Sequence, residues 1–322
     1  WMLFSSPRQT DFNGDCVGDV VVGFGSLAGG ISFTGFDTPE EEFLRGGVAA
    51  LDGVTGQKIW QTNTHQYIIG SPLFMKIDGD DVEDVVIGGR NGGLVALSGW
   101  AGHIIWSWYP NGGARSDGYF NFYSPQNVRD RNGDGIPDIL VANGGDSTKE
   151  PFEARPAGYI MVIDGRTGAV LAKMTTPDEA ETYMSPILYQ ASPGDIEWVL
   201  FGTGGETFPG SLWRIPMDDL LSGTHDRLEL LVEPDSYKGV IAPPSLADIN
   251  ADGLLDVVAV TYDSKVVVLS GDSGEVLWEY QHDNCEIPAS PAIGFFDDDI
   301  YPDIFVAMVV GTFPNYGATE FF

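Results

Sequence analysis

Cysteine is nearly absent. Cys16 and Cys285 are the two in 322 residues, too few for a disulfide framework. Histidine is scarce as well, and His65, His103, His225 and His282 fall in no metal-ligand spacing. Basic residues number 16 against 47 acidic ones, leaving a net charge of -31. Such a surface repels nucleic acid and anionic lipid. No run approaches the length of apolar residues that a membrane-spanning helix needs, and no signal peptide is visible. The chain opens on Trp1 and closes on an apolar run at Phe322, which reads as an excerpt from a longer protein. Helical periodicity is almost missing. A Gly-x-Gly-x-x-Ala stretch within residues 19–29 imitates a dinucleotide fingerprint, but Gly and Pro break the helix that should follow it. No Gly-x-Ser-x-Gly elbow, phosphate loop or His-Glu-x-x-His motif occurs.

Glycine and proline are plentiful, at 42 and 20. They separate short runs rich in Val, Ile and aromatics, the pattern of an all-β chain. The runs repeat. Ser6-Pro7, Ser71-Pro72, Ser124-Pro125, Ser185-Pro186, Pro243-Pro244 and Ser290-Pro291 each precede a short strand, an acidic loop or its remnant, and a Val/Ile-rich strand. A third strand, a tight turn and a fourth strand then follow, as in "AALDGVTGQKIW" (49–60), "VALSGWAGHIIW" (95–106), "MVIDGRTGAVLA" (161–172) and "VVLSGDSGEVLW" (267–278). The Asp/Ser-Gly-x-x-Gly core is hairpin chemistry, with glycine supplying positive φ. Alternation in the last strand puts Trp on one face, where it can cover the next unit's sheet. In the fourth unit "PMDDLLSGTHD" (216–226) replaces the turn and suggests one helical turn.

Four antiparallel strands repeated at about 50 residues predict the blades of a β-propeller. We expect a single all-β propeller domain over residues 1–322, with blades near 1–70, 71–123, 124–184, 185–242, 243–289 and 290–322. The sixth is incomplete, stopping at "YGATEFF", its expected third strand. A full ring of seven or eight blades is the alternative. Trp1–Phe4 is read as the lead into the first inner strand.

Three loops share the pattern Asp-x-Asn-x-Asp-x-x-x-Asp. Their side-chain oxygens are Asp11, Asn13, Asp15 and Asp19; Asp130, Asn132, Asp134 and Asp138; and Asp248, Asn250, Asp252 and Asp256. Position 7 offers the backbone carbonyls of Val17, Ile136 and Leu254. Carboxylates packed this densely repel one another unless a cation joins them. Hard oxygens at alternate positions suit Ca²⁺, which takes 6–8 of them at about 2.3–2.6 Å, better than Mg²⁺, which dehydrates reluctantly. We therefore expect about three calcium sites. Two further loops are degenerate. Asp78, Asp80 and Asp84 follow Lys76 at position 1, whose ammonium could stand in for the cation. Asp297, Asp299 and Asp303 follow Phe295. The fourth unit, near "SPGDIEW" (192–198), has lost the pattern. Cys16 at position 6 of the first loop is a non-glycine residue where left-handed backbone is expected, at a cost of roughly 1 kcal/mol.

The acidic loops followed by "DVVVG" resemble the FG-GAP/VCBS-type repeats of integrin α-subunits and bacterial relatives. The segment "ALDGVTGQKIW" (50–60) resembles the tryptophan-docking motif of pyrroloquinoline-quinone (PQQ) dehydrogenase propellers. Together they imply a calcium-binding propeller of a class usually extracellular, at the cell surface, or periplasmic. Quinone oxidation is not expected, because those enzymes carry vicinal cysteines against the cofactor.

Function is expected on the loops opposite the acidic ones. Arg115, Asp117 and Tyr119 sit on a glycine-rich tip, Glu206 on a second loop, and Glu179, Glu181 and Tyr183 on a third. Loops on a rigid scaffold carry function, although aromatics packed between blades and solvated charges are the plainer account of these residues. The reading is a calcium-stabilised recognition, adhesion or structural module without catalytic residues, binding protein or neutral glycan. The alternative is a lyase-like enzyme acting on polysaccharide. Cys16 lies in an acidic loop and Cys285 at the opposite end of a blade, so the two are not expected to pair.

Overall fold

The computed structural model describes residues 5–25, 46–64, 66–90, 93–108, 121–146, 149, 152–234 and 236–311. Arg115, Asp117, Tyr119, Trp1–Phe4 and the expected third strand of the sixth blade lie outside these. The chain divides into two compact units, Trp1–Lys173 and Met174–Phe322.

The first unit holds three antiparallel sheets. One comprises β1 (Arg8–Thr10), β2 (Asp19–Gly25), β3 (Gly46–Leu51) and β4 (Lys58–Asn63), in that order. The next comprises β5 (Tyr67–Ile68), β6 (Leu73–Met75), β7 (Asp84–Arg90), β8 (Leu94–Leu97) and β9 (Ile104–Trp108). Here β6 pairs with the start of β7 and β5 with its far end. The third comprises β10 (Gln126–Val128), β11 (Asp138–Asn143), β12 (Tyr159–Ile163) and β13 (Val170–Thr175). In the second unit, β14 (Ile187–Tyr189), β15 (Trp198–Gly202), β16 (Leu212–Pro216) and β17 (Glu229–Val232) form one sheet. Between its last two strands runs α1 (Met217–Ser222), the helical turn expected from the sequence. Another sheet comprises β18 (Ser245–Ala247), β19 (Asp256–Val260), β20 (Lys265–Leu269) and β21 (Val276–Gln281). The last strands are β22 (Cys285–Glu286), β23 (Ala292–Gly294), β24 (Asp303–Phe305) and β25 (Val309–Val310). They pair as β23–β24 and β22–β25. Because β22 meets β25 as β5 meets the far end of β7, β24 and β25 are two halves of one second strand.

These sheets are the four-stranded blades of a β-propeller, and their packing follows from a period of two. In β7 and β8, Val85, Ile87, Val95 and Leu97 face the preceding sheet and pack with Val21, Val48, Ala50 and Trp60. Their neighbours Val86, Leu94 and Ala96 face the following sheet and meet Ile139, Val141, Met161 and Ile163. A middle strand is thus covered on both faces, which is why β11 is apolar at every position from 139 to 142. Each Val, Leu, Ile or Met among them contributes about 1.5–3 kcal/mol by leaving water. Outer strands are covered on one face only. In β4 and β9 the third residue, Trp60 or Trp106, is buried among exposed or half-buried neighbours.

Those tryptophans dock as the alternation implied. Trp60 Nε1 donates to the Gly99 carbonyl at 2.7 Å, and Trp106 Nε1 to that of Gly165 at 2.9 Å. Each ring lies on the last glycine of the same turn. A Cβ on Gly102 would stand 2.6 Å from the Trp60 ring, and one on Gly168 2.7 Å from the Trp106 ring. Both glycines also have positive φ, 70° and 74°, so the motif needs glycine twice over. We expect Trp106→Phe to lower stability by about 1–3 kcal/mol, because the buried Gly165 carbonyl loses its donor. A urea midpoint equal to that of the wild type would contradict this.

The fourth sheet has no tryptophan on its outer strand and docks differently. Arg214 on β16 is 1 % exposed. Its Nη1 donates to the Gly271 carbonyl (2.9 Å) and to Tyr189 Oη (3.0 Å), and its Nη2 to the Asp272 carbonyl (3.1 Å). Tyr189 Oη in turn donates to Gly271 at 3.1 Å. The receiving turn is the same Ser-Gly-x-x-Gly as in the first unit.

Candidate metal loops

The last aspartate of each acidic loop opens a second strand and is fully buried at Asp19, Asp84, Asp138 and Asp256. Its Oδ2 accepts the amide at loop position 2, from Phe12 (2.8 Å), Ile77 (2.8 Å), Arg131 (2.7 Å) or Ile249 (3.0 Å). In three loops Oδ1 accepts the amide of the first turn glycine, from Gly53 (2.9 Å), Gly99 (3.1 Å) or Gly165 (3.2 Å). The aspartate therefore staples the loop to the hairpin between the third and fourth strands. Burial pushes the carboxyls of Asp84, Asp138 and Asp256 up from the ordinary range, against the backbone amides that pull them down. Asp256 is the exception in geometry. Its buried Oδ1 makes no hydrogen bond, although the Gly271 amide is near enough to stabilise the charge slightly.

The remaining loop oxygens are fixed by local amides. Asp11 accepts from Gly14 (2.7 Å) and Cys16 (2.9 Å), and Asp130 from Gly133 (2.6 Å) and Gly135 (2.7 Å). The amides of Cys16 and Gly135 do most to hold these two half-buried carboxyls below the usual range. Asp248 accepts from Asp252 (3.1 Å) and Gly253 (2.9 Å). At position 3, the Oδ1 atoms of Asn13, Asn132 and Asn250 each accept the position-5 amide at 3.0 Å. At position 5, Asp15, Asp134 and Asp252 each accept the position-7 amide, from Val17, Ile136 or Leu254, at 2.8 Å. The three full loops thus share one backbone path. It requires left-handed residues at positions 4 and 6, namely Gly14 and Cys16, Gly133 and Gly135, and Ala251 and Gly253. Cys16, with φ of 67°, takes the strained conformation expected of it.

The full loops differ in what competes for their oxygens. Asn13 Nδ2 reaches Asp52 (3.0 Å), and Asn132 Nδ2 reaches Asp164 (2.8 Å), both in the neighbouring hairpin turn. Arg166 from that turn also grips Asp134, Nε to Oδ2 at 3.0 Å and Nη2 to the carbonyl at 2.7 Å. A cation in the loop at 130–138 must share Asp134 with a guanidinium. At 248–256 the turn carries Ser270 instead of an acid, and Asn250 bonds only within the loop, to Asp252 (2.9 Å). With the orphaned Asp256 Oδ1, this loop offers the most open oxygen set.

The second loop departs from expectation. Lys76 does not enter it. Its Nζ lies 3.8 Å from Asp81 Oδ1, and both side chains are exposed. Asp78, Asp80 and Asp84 are left without an ammonium, and among the described residues theirs is the one trio of acidic or other metal-binding side chains whose ligand atoms lie within 4.8 Å of one another. The loop's own amides already occupy its carboxylates, with Ile77 and Asp78 donating to Asp84, Asp80 to Asp78 and Val82 to Asp80, and the Lys76 ammonium stays in water. In the sixth loop, Asp297, Asp299 and Asp303 repeat the amide pattern around an exposed Phe295.

The opposite loops are partly described. Glu206 is exposed and its carbonyl accepts Lys238 Nζ at 2.7 Å. Glu179 is exposed with φ of 57°. Glu181 is buried and takes the Tyr183 hydroxyl at 2.7 Å, so these two build the loop rather than present a tip. Sequence reasoning missed Lys238, which pairs with buried Glu286 at 3.0 Å and lies over the Tyr262 ring. No spacing links residues so far apart in the chain. Cys16 and Cys285 are both free thiols, and no described helix is long and apolar enough to cross a membrane.

No family model matches the chain. It is 25% identical over 330 residues to Protein FAM234B of Gallus gallus, an alignment covering 92% of this chain and 47% of that protein. The chain thus spans about half the length of this curated relative. Among solved structures, it resembles the quinohemoprotein alcohol dehydrogenase of Comamonas testosteroni (TM-score 0.56, 14% identity, 87% of this chain and 43% of that one). It also resembles Sqt1 of Saccharomyces cerevisiae (TM-score 0.55, 13% identity, 96% and 72%). A third is BBS1N, solved in complex with ARL6DN (TM-score 0.50, 9% identity, 95% and 75%). At these identities the likeness concerns the fold alone.

Proposed function

We propose that this chain is a calcium-stabilised propeller that works by non-covalent recognition or as a structural module, outside the cell or in the periplasm. The observation that carries the reading is the common architecture of the three Asp-x-Asn-x-Asp-x-x-x-Asp loops, supported by the buried, unpaired Asp256 Oδ1. Calcium would be held by Asp11, Asn13, Asp15 and Asp19, by Asp130, Asn132, Asp134 and Asp138, and by Asp248, Asn250, Asp252 and Asp256, with the carbonyls of Val17, Ile136 and Leu254. It would supply charge neutralisation and rigidity. The chain's own amides already aim these oxygens, so little ordering entropy opposes binding.

The partner is a protein or a neutral glycan, because a net charge of -31 disfavours anionic ones. The propeller of BBS1N, crystallised with ARL6DN, is a precedent for a protein partner. Arg115 and Tyr119 are the first contact candidates, since Arg and Tyr are enriched in interface hot spots; Asp117 and Glu206 come next. Alanine at Arg115 or Tyr119 is expected to weaken binding at unchanged melting temperature. Turnover of a polysaccharide, abolished by replacing Arg115 or Glu206, would sink the recognition reading.

Elemental analysis of natively purified protein tests the metal directly. The expected content is about three calcium ions per chain, the affinity of such extracellular modules being about 10⁻⁴–10⁻³ M. A calcium-free protein at millimolar calcium overturns the proposal. Lys76→Asp supplies the missing first ligand beside Asp78, Asp80 and Asp84, and titration should then count one more ion. An unchanged count would mean that the carboxylate trio is a surface cluster only.

A further inference from the structure

One loop aspartate lacks a bond that its counterparts have. In the first three sheets the final aspartate's Oδ1 accepts the amide of the hairpin turn's first glycine, Gly53, Gly99 or Gly165. Asp256 is buried as deeply, yet its Oδ1 has no hydrogen bond. Turn composition does not explain this, because Ser98-Gly99 keeps the bond and Ser270-Gly271 does not. What differs is the grip on the turn from the sheet before it. The Gly53 carbonyl has no side-chain donor among the described residues, and those of Gly99 and Gly165 have one indole each. The carbonyls of Gly271 and Asp272 take three hydrogen bonds, two from Arg214 and one from Tyr189. Arg214 also fills the space over the last turn glycine, where a Cβ on Gly274 would stand 2.9 Å from its Nη2.

We infer that Arg214 is a positioning residue for the metal loop at 248–256: it draws the turn at 270–274 onto the fourth sheet, withholds the Gly271 amide and leaves Asp256 Oδ1 free for a cation. The inference rests on the calcium reading above for the identity of the ion. In the other two full loops an ion must compete with the glycine amide for Asp19 or Asp138. One hydrogen bond to a charged group is enough to weaken binding roughly tenfold. The loop at 248–256 therefore binds calcium most tightly of the three. Coupling between two sites is reciprocal. An ion on Asp256 holds the turn where Arg214 grips it, and so strengthens the contact between the fourth and fifth sheets.

Selective isotope labelling of glycine in this chain lets nuclear magnetic resonance read every relevant amide at once. Without metal, the amides of Gly53, Gly99 and Gly165 should exchange slowly with solvent and that of Gly271 fast. Arg214→Ala should slow Gly271 to the rate of the others. Tyr189→Phe, which removes one of the three bonds and keeps the guanidinium, should slow it part of the way. If neither variant slows it, the inference falls. On calcium titration the amide of Gly253 should shift at lower calcium than those of Gly14 and Gly133. Its midpoint should rise roughly tenfold in Arg214→Ala, while the other two stay where they were. Should Arg214→Ala fail to fold, Tyr189→Phe carries both measurements, with smaller changes in the same directions. Leu212→Ala controls for stability alone, since it opens the same buried layer between the two sheets without touching the turn. A Gly253 midpoint unmoved by the Arg214 and Tyr189 variants, or moved equally by Leu212→Ala, overturns the assignment. No shift in any loop up to millimolar calcium would refute the calcium reading and the ion half of this inference with it. The exchange rate of Gly271 would still decide separately whether Arg214 holds the turn off Asp256.

Discussion

Chelating calcium should destabilise this protein more than most single substitutions do. A ligand at 100 times its Kd stabilises the folded state by about 2.7 kcal/mol per site. Three filled loops amount to roughly 8 kcal/mol, within the range of about 5–15 kcal/mol typical of a whole domain. The loss acts through defined residues. Without the ion, Asp248, Asp252 and Asp256 repel one another within one short loop, and burial already disfavours the charged form of Asp256. Thermal melts in excess calcium and in excess chelator are the measurement. We expect a large drop that calcium restores, and a smaller drop in an Asp248→Asn, Asp252→Asn double variant, which has one site fewer to lose. Coincident melts would show that backbone amides alone make the loops tolerable. The loop at 130–138 should empty first on titration with chelator, because Arg166 competes for Asp134.

Arg214→Ala should cost about 3–5 kcal/mol, the range for truncating a large, fully buried side chain to alanine. The guanidinium satisfies the carbonyls of Gly271 and Asp272 and stacks on Trp198 at 4.0 Å. It also bonds Glu229 at 2.7 Å. Glu229 is 41% exposed and can return to water, and Tyr189 still donates to the Gly271 carbonyl, so the loss comes mainly from the cavity, the lost stacking on Trp198 and the Asp272 carbonyl. Arg214→Lys discriminates between charge and shape. An ammonium is a single point charge and cannot reach acceptors spread across a planar fork, so Lys should recover only a small part of the stability. If Lys matched Arg in a denaturant titration, charge alone would explain the site and the docking role would fall.

Much of this was legible in the chain because it depends on neighbours in sequence. Asp-x-Asn-x-Asp-x-x-x-Asp fixes its own turns, since each acceptor finds its amide two to five residues on. The Asp/Ser-Gly-x-x-Gly hairpins and the helical turn at 217–222 are local in the same sense. Alternation in "KIW" was enough to say that Trp60 covers the next sheet, whereas the same reading of "VLW" is not met among the described residues, where Trp278 is 42 % exposed. What the sequence could not reveal depends on contacts between segments far apart. The final loop aspartate looks like another ligand, and only packing shows that it is also a buried staple to a turn some 15 to 34 residues away. Lys76 looks like a resident cation, and only the folded loop shows its amides on the carboxylates and its ammonium in water beside Asp81. Arg214 and Tyr189 carry no motif at all. Their part as the fourth sheet's substitute for a docking tryptophan arises because a sheet without its indole still has to satisfy the buried Gly271 carbonyl, and tertiary structure alone decides which side chains are near enough to do so.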